Sequence, residues 1–209
     1  MNELDYYELI SYQEFLLSSR RKQICPPEII MNQIELKQAR NVVDFGMGLG
    51  FFTPFLQAKM APDSWLWGAE CQPDLIDLIL KRKVQEDLQN FSVFYMEKTD
   101  HPMLPQWVPI PEIIFAAMSL STFPDPGLAM DGLIRSMKPG GRLIILDWTK
   151  AEFQEGPPIK DKISMDKMKY LAEFYYLEII KSYTINEYVY GLEVKAGKDF
   201  TYGLSDFRE

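Results

Sequence analysis

Apolar residues in this chain come in two kinds of run, and the two kinds alternate. The first kind is short and continuous. Residues 40–45, 65–70, 91–96, 113–117 and 142–147 are such runs, rich in β-branched and aromatic side chains and bounded by turn formers. They predict strands buried on both faces. The second kind repeats with helical spacing. Residues 28–38, 50–60, 73 to about 88, 127–137 and 164 to about 174 follow that period and predict helices. Prolines at 27 and 73 sit where a helix start tolerates them, and Ser164 can cap the last helix. Two late runs, 177–182 and 188–195, read as a terminal antiparallel pair. Strand–helix alternation followed by such a pair predicts a three-layer α/β/α sandwich around a seven-stranded, mostly parallel sheet. Residues 1–24, carrying Tyr6, Tyr7, Tyr12, Phe15 and Leu16, predict an N-terminal helical cap, and residues 25–209 the main domain. The segment 97–111 holds four prolines and reads as an irregular loop.

The stretch after the first strand breaks this pattern. Asn41 to Phe52 reads NVVDFGMGLGFF, with Gly46, Gly48 and Gly50 at alternate positions. Such glycines allow a sharp turn and a close backbone approach to a ligand, and the following helix presents N–H groups at its start. A dinucleotide loop wants G-x-G-x-x-G, whereas the spacing here is G-x-G-x-G. Asp44 precedes the loop, where a carboxylate would repel a pyrophosphate but could hold the ammonium of an amino acid. No Gly-Lys-Ser/Thr follows, so a Walker phosphate loop is absent. Glu70 ends the second strand, twenty residues after Gly50, where a carboxylate can accept ribose hydroxyls. Taken alone, a solvated strand-end charge is the plainer account of it; with the glycine loop at this spacing the ribose role is preferred. Asp100, after Thr99, could accept from an adenine amino group or be an ordinary turn aspartate before His101-Pro102.

Composition narrows the function classes. The net charge of −8 argues against a non-specific nucleic-acid surface. No apolar run approaches the roughly 20 residues of a membrane span, and the N-terminus lacks a signal-peptide layout. Two cysteines, Cys25 and Cys71, form neither a disulfide framework nor a zinc site, and the single histidine, His101, removes most His-based metal and triad chemistry. A cytoplasmic protein is the expectation.

On these residues the chain resembles the class I S-adenosylmethionine-dependent methyltransferases. VVDFGMGLG matches their loop, Glu70 and Asp100 their second and third acidic positions, and MKPGGRLIILDW their turn into the fifth strand. The resemblance covers about residues 25–196. GLGFFTPFL, Asp147-Trp148 with Gly156-Pro157-Pro158, and YVYGLEVK are similar to the group of ubiquinone/menaquinone-biosynthesis and arsenite methyltransferase-like proteins. It implies a Rossmann-like fold and S-adenosyl-L-methionine as cofactor. By resemblance, Asp44 and the backbone of Gly46, Met47, Gly48 and Gly50 hold the methionine moiety. Glu70 binds ribose, with Cys71 and Gln72 beside the adenine. Thr99 and Asp100 face its edge, and Met118 and Ser119 floor the methyl site.

The chain departs from the nucleic-acid branches of the family. Neither an Asn/Asp-Pro-Pro-Tyr/Phe motif nor a Pro-Cys nucleophile follows the fourth strand, which disfavours base methylation. Two cysteines are too few for arsenite chemistry. A small-molecule acceptor is expected. The acceptor-side base is unassigned, with His101 a candidate by type and a plain loop histidine the competing account. Tyr6, Tyr7 and Tyr12 could form a lid or an amphipathic packing face. Lys81-Arg82-Lys83 reads as a solvated helix face. Tyr188, Tyr190 and the late strands are candidates for a homodimer contact. Rival functions are a non-catalytic S-adenosylmethionine-binding or regulatory protein and, more remotely, a nicotinamide dehydrogenase.

Overall fold

A computed structural model describes residues 14–153 and 157–202. After helices α1 (Ser19–Ile24) and α2 (Pro27–Met31), the chain runs β1 (Asn41–Phe45), α3 (Thr53–Lys59), β2 (Trp65–Glu70), α4 (Pro73–Gln85) and β3 (Phe91–Tyr95). It continues through β4 (Ile113–Ala117), α5 (Pro126–Arg135), β5 (Arg142–Trp148), α6 (Met165–Phe174), β6 (Leu177–Thr184) and β7 (Val189–Ala196). The strands form one seven-stranded sheet in the order β3-β2-β1-β4-β5-β7-β6. β1 to β5 pair in parallel, and β7 pairs antiparallel with both β5 and β6. This is the expected three-layer α/β/α, Rossmann-like sandwich.

Alternation along each strand builds the two faces. Val42 belongs to the core that Ile30, Leu56 and Ile79 enter from α2, α3 and α4. Its neighbour Val43 points to the opposite face and belongs to the core that Leu133 of α5 and Met168 of α6 also enter. The period of two along a strand forces that split. Each such fully buried aliphatic side chain contributes about 1.5–3 kcal/mol by leaving water.

The helix expected over residues 28–38 stops at Met31. Beyond it, Ile34 and Leu36 are buried while Glu35 between them is exposed. That is the alternation of an irregular extended path, and over so few residues it mimics helical spacing. Two surface readings also change. Arg82 reaches back to donate to the carbonyls of Leu49 and Gly50, each at 2.7 Å, and Lys83 donates to the Phe91 carbonyl at 2.5 Å. The Lys81–Lys83 run is therefore partly a clamp on the glycine loop. Tyr190 is 1% exposed and donates to the Ile163 carbonyl at 3.0 Å, so its side chain is core and cannot be a dimer contact. Tyr188 packs on Phe153, with centroids 4.7 Å apart. Tyr6, Tyr7 and Tyr12 lie outside the described residues. No described helix is long and apolar enough to cross a membrane.

Strand order reverses between β1 and β4. The chain first builds outward through β2 and β3, then returns to build β4 and β5 on the other side. Helices then leave the sheet on opposite faces, and a crevice opens beyond the carboxyl ends of β1 and β4.

Candidate functional site

Two adjoining cavities occupy that crevice. The larger, about 620 Å³, is lined by the glycine loop, Asp44, Phe51, Phe52, Met118 and Trp148, and also by Phe15, Leu16 and Arg21 from the N-terminal segment. The smaller, about 180 Å³, is lined by Glu70, Cys71, Gln72, Met96, Glu97, Lys98 and Ser119. Gly46, Gly48, Met118 and Thr122 border both.

The glycine loop holds its shape through three left-handed residues, with φ of +68° at Gly46, +58° at Gly48 and +71° at Gly50. Gly46 also passes so close to Ser119 that a Cβ there would lie 2.7 Å from the serine Cβ. The loop is tied to the end of β2. Gly46 and Met47 donate to the Ala69 carbonyl at 2.9 and 3.2 Å, and Gly48 donates to Glu70 Oε2 at 2.8 Å. Met47 fills the space over Gly68, where any Cβ would collide with its sulfur. At the end of β4, Met118 takes the left-handed φ of +54°, a strained conformation for a non-glycine residue on the wall between the two cavities.

Two carboxylates flank the loop in different states. Glu70 is anchored: its Oε1 accepts from the N–H groups of Cys71 and Gln72 at 2.7 and 2.9 Å, beside the Gly48 bond. Asp44 is 2% exposed, lines the larger cavity, and takes no hydrogen bond from the described residues. Burial, with the Glu70 charge second, pushes its carboxyl up to about 8. A cation delivered to that cavity would draw the proton off and pair with it. Behind them, Asp147 accepts from Ser121 N and Oγ at 3.1 and 2.8 Å and from Trp148 N at 2.8 Å. Burial still pushes it up to about 6. Burial and then the Glu70 charge raise the Cys71 thiol.

A sequence model described as a methyltransferase domain matches residues 16–188. That span is most of the chain. The chain belongs to the methyltransferase-domain family. No curated protein sequence matches it. Among solved structures, an S-adenosylmethionine-dependent methyltransferase from Aquifex aeolicus superposes with TM-score 0.77 at 22% identity, over 88% of this chain and 96% of that one. The O-methyltransferase NcsB1 of neocarzinostatin biosynthesis, solved with S-adenosylhomocysteine and 1,4-dihydroxy-2-naphthoic acid, superposes with TM-score 0.65 at 16% identity, over 80% of this chain and 52% of that one. The mitomycin 7-O-methyltransferase MmcR gives TM-score 0.67 at 12% identity, over 89% of this chain and 60% of that one. At these identities the likeness is one of fold.

Within this methyltransferase domain, the structure gathers most of the residues picked from sequence. Asp44, Gly46, Met47, Gly48 and Met118 line the larger cavity, and Glu70 and Cys71 the smaller. Gly50 lies one step back, in the turn that leads into α3. Thr99 and Asp100 are not gathered. Both are exposed, and the same loop turns Glu97 and Lys98 to the cavity instead. Lys98 donates to the Thr122 carbonyl and hydroxyl at 3.0 and 3.1 Å, closing the wall between the β3 and β4 loops. The acid this loop brings to the cavity is Glu97, three residues before Asp100, in a loop without periodicity. His101 is elsewhere as well. Its Nε2 lies 2.8 Å from Asp131 Oδ2 on α5, and Asp131 is held in turn by Arg135. His101 lines neither cavity. The aromatic walls at Phe51, Phe52 and Trp148, and Arg21, were missed. Arg21 sits in the run Arg20-Arg21-Lys22, which reads as a wet surface.

Proposed function

We propose that this protein transfers a methyl group from S-adenosyl-L-methionine to a small-molecule acceptor. The observation that carries the reading is the pair of carboxylates at the strand-order reversal. Asp44 is buried, unpartnered and turned to the larger cavity. Glu70 is anchored by three backbone N–H groups and turned to the smaller. In this reading Glu70 accepts from the ribose hydroxyls. Cys71, Gln72, Glu97 and Lys98 border the adenine, with Thr99 and Asp100 on its outer rim. Ser119 Oγ, buried without a partner beside that cavity, is a further donor for the nucleoside. Asp44 and the backbone of Gly46, Met47, Gly48 and Gly50 receive the amino-acid end, and Met118 floors the space where the methyl would lie.

The cofactor supplies a methyl already activated on a sulfonium. What remains for the protein is to hold the acceptor in line at about 3–3.5 Å and keep water away. The volume left at the β5 side, walled by Phe15, Phe51, Phe52 and Trp148, suits a flat apolar or aromatic acceptor. The naphthoic acid bound by NcsB1 and the O-methyltransferase neighbours support that choice, and a ring acceptor agrees with the resemblance to the ubiquinone/menaquinone-biosynthesis group. A second reading, a non-catalytic binder of the same cofactor, draws on one observation: His101, the residue chosen as base by type, is bound to Asp131 outside both cavities.

Calorimetry with S-adenosylmethionine on the wild type, Asp44→Ala and Glu70→Ala tests the site. Wild type is expected to bind saturably and each variant at least 10-fold more weakly. Variants that bind as well as wild type would sink the assignment. Release of S-adenosylhomocysteine with any ring acceptor would end the non-catalytic reading.

A further inference from the structure

The larger cavity contains a charged group that the cofactor roles above do not use. Arg21, on α1, is 6% exposed and lines the cavity. Its guanidinium lies among three aromatic rings, 5.7 Å from the centroid of Phe15, 5.6 Å from Phe51 and 5.3 Å from Trp148. Its Nε is buried with no acceptor, and no described carboxylate pairs with the group. A buried, unpaired guanidinium is costly. Ring contacts offset part of that cost, but they do not explain why a cation is there, because an apolar side chain would fill the same aromatic box without it. Arg21 is the one basic residue lining this cavity among those described. The acidic groups facing the cavity are Asp44, across the glycine loop, and Asp161, which is exposed at the rim; neither is bonded to Arg21.

We infer that Arg21 is a carboxylate seat in the larger cavity, a bidentate fork held planar between aromatic walls for an acid that arrives with a ligand. The geometry fits carboxylate chemistry. The guanidinium is rigid, always charged and weakly hydrated, and two of its N–H groups match two carboxylate oxygens. Position narrows the source. Trp148 ends β5, on the side of the crevice away from Glu70 and the smaller cavity, so an acidic ring acceptor would lay its body on Phe51 and Trp148 with its acid on Arg21. The amino-acid carboxylate of the cofactor has the same chemistry and is the other source. The inference rests on the proposed function for which ligand brings the acid.

The experiment measures binding to wild type, Arg21→Met and Arg21→Lys. One arm uses S-adenosylmethionine and its decarboxylated analogue. The other uses 2-naphthoate and salicylate against 2-naphthamide and salicylamide, with and without saturating S-adenosylhomocysteine. Thermal unfolding confirms that each variant is folded, and Arg21→Lys keeps the charge without the planar fork. A loss of at least 10-fold in acid affinity for Arg21→Met, with amide affinity unchanged, supports the seat and assigns it to the acceptor. A similar loss for S-adenosylmethionine, with the decarboxylated analogue indifferent to the substitution, supports the seat and assigns it to the cofactor. Arg21→Lys is expected to retain part of either affinity. Acids and amides responding alike, both cofactor forms responding alike, or no response in either arm would overturn it. Wild type that binds no S-adenosylmethionine, yet discriminates acid from amide through Arg21 without cofactor, would fail the proposed function and leave the seat standing.

Discussion

Replacing Asp44 with asparagine should stabilise the ligand-free protein, and the gain should grow with pH. The Asp44 carboxyl titrates near 3.8 in an unfolded chain and is pushed up to about 8 in the fold by burial and the Glu70 charge. Between those values the folded protein holds a proton that the unfolded chain has released. Stability therefore falls as pH rises through that window and is level below and above it. Each pH unit inside the window is worth at most about 1.4 kcal/mol, so the whole span has a ceiling of about 5–6 kcal/mol. The Asp44→Asn variant has no group at that position to titrate. Asp147, pushed up to about 6 by burial, adds its own slope at lower pH, but that slope is common to both proteins and cancels in the difference. Urea and thermal unfolding of the two proteins at pH 5, 6.5 and 8 measures it. The advantage of Asp44→Asn should widen by about 1 kcal/mol per pH unit. At about 2–4 °C per kcal/mol for a chain of this size, its melting temperature should stand about 10 °C above wild type at pH 8. Saturating S-adenosylmethionine should narrow the gap at pH 8, because wild type binds the cofactor more tightly and gains more stabilisation from it. A difference that is flat with pH, or an Asp44→Asn variant less stable than wild type at pH 8, would refute the buried-carboxylate account.

Other substitutions test the rest of the site. Glu70→Gln exchanges an acceptor of three backbone N–H groups for a neutral amide; it should cost about 1–3 kcal/mol in urea unfolding and at least tenfold in cofactor affinity by calorimetry. Gly46→Ala sets a side chain on a +68° backbone, 2.7 Å from the Ser119 Cβ; a loss of about 1–3 kcal/mol is expected, and an unchanged melting temperature would contradict the close approach. His101→Ala removes a group bonded to Asp131 outside both cavities; S-adenosylhomocysteine release should stay within a factor of about two of wild type once an acceptor is in hand, and a collapse of turnover would restore His101 as the base.

The strands were legible because their signal is local. Val42-Val43, Trp65–Glu70 and Ile113–Ala117 are continuous apolar runs between turn formers, and a buried parallel strand needs nothing else. The glycine loop was legible because three left-handed backbone positions call for glycine at those places. The helix boundary at Met31 was not, since Ile34 and Leu36 satisfy a helical and an extended spacing equally over so short a stretch. Glu97 was passed over for Asp100 because an irregular loop has no period to say which of its residues faces inward.

The sequence by itself determined the strands, their alternation with helices, and the carboxylates placed at the ends of β1 and β2. Those depend on apolar runs, turn residues and side chains at strand ends, all set within a few positions of chain. Only the tertiary structure decided which charges are buried and unpaired. Asp44 and Arg21 owe their states to elements far away in sequence: Glu70 and the crevice for one, Phe51 and Trp148 for the other. Desolvation is a property of everything that surrounds a group, so no reading of its neighbours along the chain could have told a wet arginine of a basic run from one enclosed by aromatic rings.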